Sequence, residues 1–208
     1  MIEAVLFDFG GVVLSSPFEA FSKYEAEIGV PEGLLRGLNA TNPDMNAWAQ
    51  LERSEVSLDE FCALYEAEAA AAGHRIEGRR VIEALAGELR PDMVEAVRRC
   101  SERLKTACLT NNFVTTTGHV DRENEMGAVM ALFQVVVESS KVGVRKPDPK
   151  FYEMACELLD VEPAACVFLD DLGINLKPAR AMGMTTIKVL SAAQAIADLE
   201  AVVGFPLT

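Results

Sequence analysis

The chain has 208 residues, of which half are hydrophobic and a quarter charged, enough for one core with an inserted subdomain but short for two independent enzymes. Its 32 acidic residues against 19 basic ones give a formal net charge of -13, which repels nucleic acid and anionic membranes at long range. Neither is therefore an expected partner, and a phosphorylated substrate would have to be attracted locally.

The hydrophobic stretches reach only about ten residues, which is too short to cross a membrane. The first residues, MIEAVLFDF, lack the basic leader of a signal peptide, so a cytoplasmic protein is expected. The five cysteines are an odd number without a C-x-x-C pair, which predicts reduced thiols that serve as small core residues.

Five short runs of strand type follow one another along the chain, with helical patterns between them. They are residues 4–9 (AVLFDF), 106–110 (TACLT), 133–139 (FQVVVES), 165–170 (ACVFLD) and 184–190 (MTTIKVL). Near-continuous apolar strands separated by amphipathic helices are typical of a parallel sheet that is covered on both faces. The pattern predicts a doubly wound, Rossmann-like α/β fold.

The interval between the first two predicted strands spans about 95 residues, too many for one crossover helix. Its patterns are helical, and Ser57 with Glu60 forms a capping box at the start of one predicted helix. We predict a helical cap over residues 16–87, inserted in a core domain that residues 1–15 and 88–208 form.

Several residues allow two interpretations. In the cap, Trp48, Glu52 and Phe61 either face the substrate or pack between cap helices, and packing is favoured. His74 and His119 lack a serine, cysteine or carboxylate partner at a recognisable catalytic spacing, so we predict surface or structural roles for both.

Polar residues follow the carboxyl ends of four predicted strands, the edge at which doubly wound sheets bind ligands. They are Asp8 after the first strand, Thr110 and Asn111 after the second, Lys146 after the third, and Asp170 and Asp171 after the fourth. Burying an unpaired carboxylate is costly, so the apolar surroundings of Asp8 indicate a partner or a metal. We expect three carboxylates, a hydroxyl, an amide and an ammonium to meet at one edge of the sheet.

This order resembles the four signature motifs of the haloacid dehalogenase-like hydrolase superfamily, whose members are mostly phosphatases. The segments FDFGGVV, LTNNF, KPDPKFY and FLDDLGINLKPARAMGM are most similar to the amino-terminal phosphatase domain of soluble epoxide hydrolase and its bacterial stand-alone relatives. The resemblance covers residues 4–14 and the chain from residue 88 onward, and in the cap it extends only to position and helical character. Epoxide hydrolysis belongs to a separate domain of that family, so the resemblance does not imply it.

The resemblance implies a phosphomonoester hydrolase that acts through an aspartyl-phosphate intermediate, with Asp8 as the nucleophile. A carboxylate attacks a phosphate anion poorly unless a divalent cation neutralises both, and Mg²⁺ is suited to a site with few carboxylates and several waters. The expected Mg²⁺ ligands are Asp8, Asp171 and the backbone carbonyl of Gly10. Asp170 is expected to orient ligands or water from behind them.

The transferring phosphate is expected to contact Thr110, Asn111 and Lys146. Lys146 would also supply a fixed positive charge and restrain Asp8. The implied substrate is a small phosphorylated metabolite, and the sequence leaves the oligomeric state open.

Gly10 departs from the family pattern, because the first motif usually reads Asp-x-Asp and its second aspartate protonates the leaving oxygen. Such an acid typically contributes ~10²- to 10⁴-fold, so its absence is compatible with a slow enzyme, and the sequence leaves open whether the enzyme is slow or inactive. Some family members with glycine at this place are phosphatases. If Gly10 has a positive φ, a substitution there would be strained.

Two other functions stay open. A phosphate-binding or regulatory module with little turnover is the main alternative, and Gly10 is its best support. A 2-haloacid dehalogenase is disfavoured, because the adjacent Asp170 and Asp171 would repel both halide and the substrate carboxylate.

Overall fold

The computed structural model of this protein describes residues 1–84, 87–112 and 120–208. Its sheet consists of β1 (Ala4–Phe7), β2 (Lys105–Thr110), β3 (Val135–Glu138), β4 (Cys166–Asp170) and β5 (Thr185–Lys188). All pairings are parallel and the strand order is β3-β2-β1-β4-β5. The predicted α/β class and the five predicted strands are confirmed.

Most strands are shorter than predicted, and β1 shows why. Its apolar run continues beyond Phe7 because the following loop, Phe9–Val13, is itself largely buried. Hydrophobicity marked the burial of that loop correctly, but it did not mark the point where the chain leaves the sheet.

The connections between strands are helical. Helices in the interval between β1 and β2 are α1 (Pro17–Ile28), α2 (Leu34–Ala40), α3 (Ala47–Glu52), α4 (Leu58–Ala71), α5 (Gly78–Glu83) and α6 (Pro91–Ser101). The later helices are α7 (Val120–Met130), α8 (Ser139–Val142), α9 (Pro149–Leu159), α10 (Gly173–Ala181) and α11 (Ala192–Val203). No helix of the described ranges is long and apolar enough to cross a membrane.

The two faces of the sheet are covered separately, as the alternation of side chains along a strand requires. Val5 and Phe7 of β1 belong to one hydrophobic cluster, which includes residues of α6 and α11. Ala4 and Leu6 belong to a second cluster, with residues of α9 and α10. The five cysteines are free thiols, as predicted, and four of them are buried.

Helices α1 to α5 have a hydrophobic cluster of their own, separate from the two clusters on the sheet. The segments that lead into and out of these helices run side by side, since Leu14 and Leu89 form an antiparallel bridge. The backbone N–H of Ser15 also donates to the carbonyl of Glu88 over 2.8 Å. These paired segments lie beside the predicted boundaries of the cap, at residues 16 and 87, and the division into cap and core stays a prediction.

Candidate active site

Asp8 follows β1 directly and is buried at the carboxyl edge of the sheet. Its backbone N–H continues the strand pairing by donating to the carbonyl of Leu169 over 2.9 Å. Its Oδ1 accepts from the backbone N–H of Phe9 at 2.6 Å and lies 2.8 Å from Lys146 Nζ. Its Oδ2 has no hydrogen bond to any described residue, so one oxygen is fixed and the other is available for chemistry.

Lys146 is only 1% exposed, and its ammonium lies between two carboxylates. Nζ is 2.8 Å from Oδ1 of Asp8 and 2.8 Å from Oδ2 of Asp170. Burial alone would lower the pKa of Lys146, but the charges of Asp170 and Asp8 outweigh it and raise the pKa above its ordinary value. The site therefore contains a fixed positive charge beside Asp8.

Asp170 ends β4 and is completely buried. Its Oδ1 accepts from the backbone N–H of Leu172 at 2.7 Å and from Asn175 Nδ2 at 3.1 Å. Its Oδ2 accepts from Lys146 Nζ and from Asn175 Nδ2, at 2.8 and 3.0 Å. Both oxygens are occupied by protein donors, an arrangement that suits the predicted orienting role and leaves metal ligation to other groups.

Asp171 lies directly against the glycine loop that follows β1. A Cβ atom at Gly11 would be 2.2 Å from Oδ2 of Asp171, and Gly11 has a φ of 77°. Arg90 braces this loop by donating from Nη1 to the carbonyl of Gly11 over 2.8 Å. Burial and the charge of Asp170 raise the pKa of Asp171 to about 6. Position 11 therefore requires glycine, both for the positive φ and for the close approach of the Asp171 carboxylate.

Replacing Gly11 with alanine should remove metal binding. The methyl group would displace Asp171 and would also strain a positive φ by roughly 1 kcal/mol. We expect the Mg²⁺-dependent rise in melting temperature to disappear in Gly11→Ala. Gly10→Ala is the matched control, because Gly10 has a φ of -69° and a Cβ there meets nothing within 4 Å. An unchanged Mg²⁺ response in Gly11→Ala would contradict this account.

The acidic cluster fits a divalent cation. Carboxylate oxygens of Asp8, Asp170 and Asp171 lie within 4.8 Å of one another, and the ammonium of Lys146 offsets one of these three charges. Burial raises the pKa of Asp8 well above its usual range, the charges of Asp170 and Asp171 add to this effect, and Lys146 opposes it. An oxygen-only donor set with excess negative charge suits Mg²⁺. Ligation by Asp8, by Asp171 and by the carbonyl of Gly10 stays a prediction.

Thr110 ends β2 and Asn111 follows it at the same edge of the sheet, but their side chains differ in their hydrogen bonds. The hydroxyl of Thr110 makes no hydrogen bond within the described part of the chain. The Asn111 carboxamide contacts Lys146 on both sides: Oδ1 accepts from its backbone N–H at 2.9 Å, and Nδ2 donates to its carbonyl over 3.0 Å. Nδ2 also donates to Oε2 of Glu52 over 3.3 Å. The Asn111 side chain thus braces Lys146, and its contact with phosphate stays a prediction.

The cap residues for which the sequence allowed two interpretations have different surroundings in the structure. Phe61 is fully buried in the cap cluster, and its ring centroid is 5.4 Å from that of Trp48. Glu52 is buried too, but its carboxylate leaves the cap cluster and contacts the edge of the sheet. His74 follows α4 in the cap and is half-buried, and His119 lies outside the described residues.

The sequence predicted no role for three residues that contact the site: Arg90, Arg145 and Asn175. Asn175 is detectable in principle, because it is a polar residue on the buried face of α10, one turn after Asp170. Arg90 and Arg145 reach the site from loops, and their contacts depend on how distant segments fold. No periodicity or spacing in the chain marks such contacts in advance.

The chain belongs to the haloacid dehalogenase-like hydrolase family, whose model matches residues 2–183. It is 34% identical over 211 residues to acyl-CoA dehydrogenase family member 10 of Mus musculus, covering 98% of this chain and 19% of that protein. It is 30% identical over 216 residues to bifunctional epoxide hydrolase 2 of Mus musculus, covering 98% of this chain and 39% of that protein. The family predicted from the motifs is confirmed, and the chain spans less than half the length of these two relatives.

Two further comparisons cover nearly the whole of both partners. Sesquiterpene phosphatase astK of Aspergillus oryzae is 25% identical over 205 residues, which are 97% of each chain. A family enzyme from Bacteroides thetaiotaomicron, solved in complex with magnesium and inorganic phosphate, has a TM-score of 0.64 at 17% identity. That match covers 96% of this chain and 99% of the other, and it shows that the two share a fold.

Proposed function

We propose that this protein is a Mg²⁺-dependent phosphomonoester hydrolase that forms an aspartyl-phosphate on Asp8. The observation that carries the proposal is the difference between the two carboxylate oxygens of Asp8. Oδ1 is held by Phe9 and Lys146, whereas Oδ2 has no hydrogen bond to a described residue. The sesquiterpene phosphatase and the magnesium and phosphate complex among the similar proteins support it.

In the proposed mechanism Asp8 Oδ2 attacks phosphorus, so that an aspartyl O–P bond forms and the ester O–P bond breaks. Lys146 keeps Asp8 oriented and offsets negative charge as it moves onto the transferring group. Mg²⁺, when bound by Asp8 and Asp171, would neutralise the phosphate and align it. Water then attacks the aspartyl-phosphate, which releases inorganic phosphate and restores the Asp8 carboxylate.

We expect the hydroxyl of Thr110 to donate to a phosphate oxygen, since it has no competing partner among described groups. The alcohol that leaves needs a proton, and Gly10 cannot supply one. The proposed enzyme is therefore expected to act slowly on alkyl phosphates and faster on activated aryl phosphates. Its substrate is proposed to be a small phosphorylated metabolite in the cytoplasm.

The two alternatives make different demands on the same residues. A dehalogenase would have to accept an anionic substrate and release halide beside Asp171, where Lys146 offsets only one of the three carboxylate charges. A phosphate-binding module would need Thr110 and Lys146 but not a free Asp8 Oδ2. The direct test is an assay of the purified protein against a panel of phosphomonoesters, with Mg²⁺ and with chelator. Hydrolysis in Mg²⁺ alone supports the proposal, full activity in chelator refutes its metal requirement, and phosphate binding without turnover favours the module. The dehalogenase is favoured only if no phosphomonoester is hydrolysed and a 2-haloacid releases halide.

Asp171→Ala should weaken Mg²⁺ binding more than Asp170→Asn does. In the proposal Asp171 would ligate the metal, whereas Asp170 is held by Lys146, Leu172 and Asn175. Asparagine at position 170 keeps one oxygen for these donors and disturbs the ligands only indirectly. The Mg²⁺ concentration for half-maximal activity and the Mg²⁺-dependent shift in melting temperature measure the difference. Equal losses in both variants would place Asp170 among the direct ligands.

A further inference from the structure

Glu52 is a cap residue whose carboxylate is used at the edge of the sheet. It ends α3 and is 7% exposed. Its Oε1 accepts from Trp48 Nε1 at 3.0 Å, within the same helix. Its Oε2 lies 2.8 Å from Arg145 Nε and 3.3 Å from Asn111 Nδ2. One oxygen is therefore anchored in the cap, and the other contacts residues beside Lys146.

The contact with Arg145 is an ion pair without the alignment of a hydrogen bond, because the Nε–H of Arg145 is not directed at the carboxylate. Arg145 instead donates from Nη1 to the carbonyl of Pro43 over 2.9 Å, which adds a second link between this loop and the cap. Asn111 donates the side-chain hydrogen bond that links the edge of the sheet to Glu52. Arg145 supplies the opposite charge.

The orientation of the Asn111 carboxamide decides how the Lys146 backbone is held. In the observed orientation Oδ1 faces the N–H of Lys146, and the two hydrogens of Nδ2 face the Lys146 carbonyl and Glu52. A rotation by 180° would turn Oδ1 toward the Lys146 carbonyl and the Glu52 carboxylate, where it would meet two acceptors. The N–H and the carbonyl of Lys146 already favour the observed orientation, and the Glu52 carboxylate reinforces it as a second acceptor for Nδ2.

The buried charge itself is not explained by stability. Burial raises the pKa of Glu52 although Arg145 opposes the rise, so ionising this carboxylate has a free-energy cost. Replacing a buried ion pair with apolar groups is often neutral or stabilising, so a contact that only seated the cap would not need one. A carboxylate is a stronger acceptor for the Asn111 amide than a neutral group is, so a role in orienting that amide makes use of the charge.

We propose that Glu52 is a positioning residue that acts through Asn111 and Arg145 to set the backbone of Lys146, and thereby the ammonium beside Asp8. The proposal rests on the proposed phosphatase function, because it assigns Lys146 a task in that reaction. Because Glu52 belongs to the cap, the proposal also means that the position of the cap on the sheet and the position of the Lys146 backbone are coupled.

The first test is independent of turnover. The chain has seven lysines, so protein labelled with ¹⁵N-lysine gives few backbone amide resonances, and Lys146→Arg identifies that of Lys146. In metal-free protein, Glu52→Gln should shift the Lys146 resonance and lower its protection from hydrogen exchange. Glu68→Gln is the matched control, because Glu68 accepts from the backbone N–H of Ala47 at 2.7 Å and so holds the other end of α3. A Lys146 resonance that is unchanged in Glu52→Gln, or shifted equally in Glu68→Gln, would overturn the proposal.

The second test measures hydrolysis of p-nitrophenyl phosphate in Mg²⁺. Misplacement of a catalytic group by about 1 Å can cost ~10²-fold, so we expect kcat to fall by ~10- to 10²-fold in Glu52→Gln, with a smaller change in KM. Glu52→Asp retains the charge on a shorter side chain, so we expect a kcat between those of the parent protein and Glu52→Gln. If Glu52→Gln does not fold, a parent-level kcat and an unchanged Lys146 resonance in Glu52→Asp would overturn the proposal. A normal kcat in Glu52→Gln refutes the positioning role but leaves the phosphatase proposal standing. Absence of turnover in the parent protein refutes the phosphatase proposal, and the amide shift then still reports the coupling.

Discussion

Replacing Asp8 with asparagine is expected to abolish turnover and leave the fold intact. Asparagine keeps an oxygen in the place of Oδ1, where it can still accept from Phe9 and Lys146. Its amide nitrogen takes the place of Oδ2, so the nucleophile is lost. Removing a covalent nucleophile costs on the order of 10⁴-fold or more in kcat.

The same substitution should not lower the melting temperature of the metal-free protein. Burial and the charges of Asp170 and Asp171 already disfavour the ionised form of Asp8, which its raised pKa reflects. A neutral asparagine relieves that repulsion, while Lys146 keeps its contact with Asp170. Active-site residues commonly make the folded protein less stable than a substitution that removes their function.

The measurements are steady-state hydrolysis of p-nitrophenyl phosphate and thermal melting. Asp59→Asn is the control for loss of one carboxylate, because Asp59 is exposed and pairs with Arg79 on the surface of the cap. Parent-level activity in Asp8→Asn would refute the aspartyl-phosphate mechanism. A collapse of the melting temperature would instead show that Asp8 holds the sheet edge together.

The arrangement at the strand ends was predictable because a parallel sheet brings the carboxyl ends of its strands to one edge. Asp8, Thr110 and Asp170 needed only the strand periodicity to be placed there. The separate roles of Asp170 and Asp171 are predictions that follow from the resemblance. In the structure Asp170 is enclosed by donors, whereas Asp171 faces the glycine loop.

The task of Glu52 was not predictable from the sequence. As a residue of a short helix it pairs with Trp48 four positions earlier, which gives no sign of a contact outside the cap. Its partner Asn111 is 59 residues away in the chain, and the grip of Asn111 on Lys146 joins loops a further 35 residues apart. Such contacts depend on how the cap is seated on the sheet, which no local pattern encodes.

The last prediction concerns Gly10, where the family pattern has an acid. The strain that a positive φ would have caused does not arise, because Gly10 has φ -69° and ψ 129°. A Cβ at this position also meets no heavy atom within 4 Å. An aspartate can therefore be introduced without displacing Asp171, in contrast to the neighbouring Gly11.

Gly10→Asp is expected to raise hydrolysis of alkyl phosphates by up to ~10²-fold and to change that of aryl phosphates little. An alkoxide leaves poorly unless it is protonated, whereas p-nitrophenolate is stable enough to leave unaided. The quantity to measure is the ratio of kcat/KM for an alkyl phosphate to that for p-nitrophenyl phosphate. Gly10→Asn has the same shape without the proton, so it separates acid catalysis from a change in packing. A ratio that is equal in the aspartate and asparagine variants, with both proteins folded by thermal melting, would show that Gly10 is not simply a missing acid. Another group would then already protonate the leaving oxygen, or the natural reaction would need no proton there.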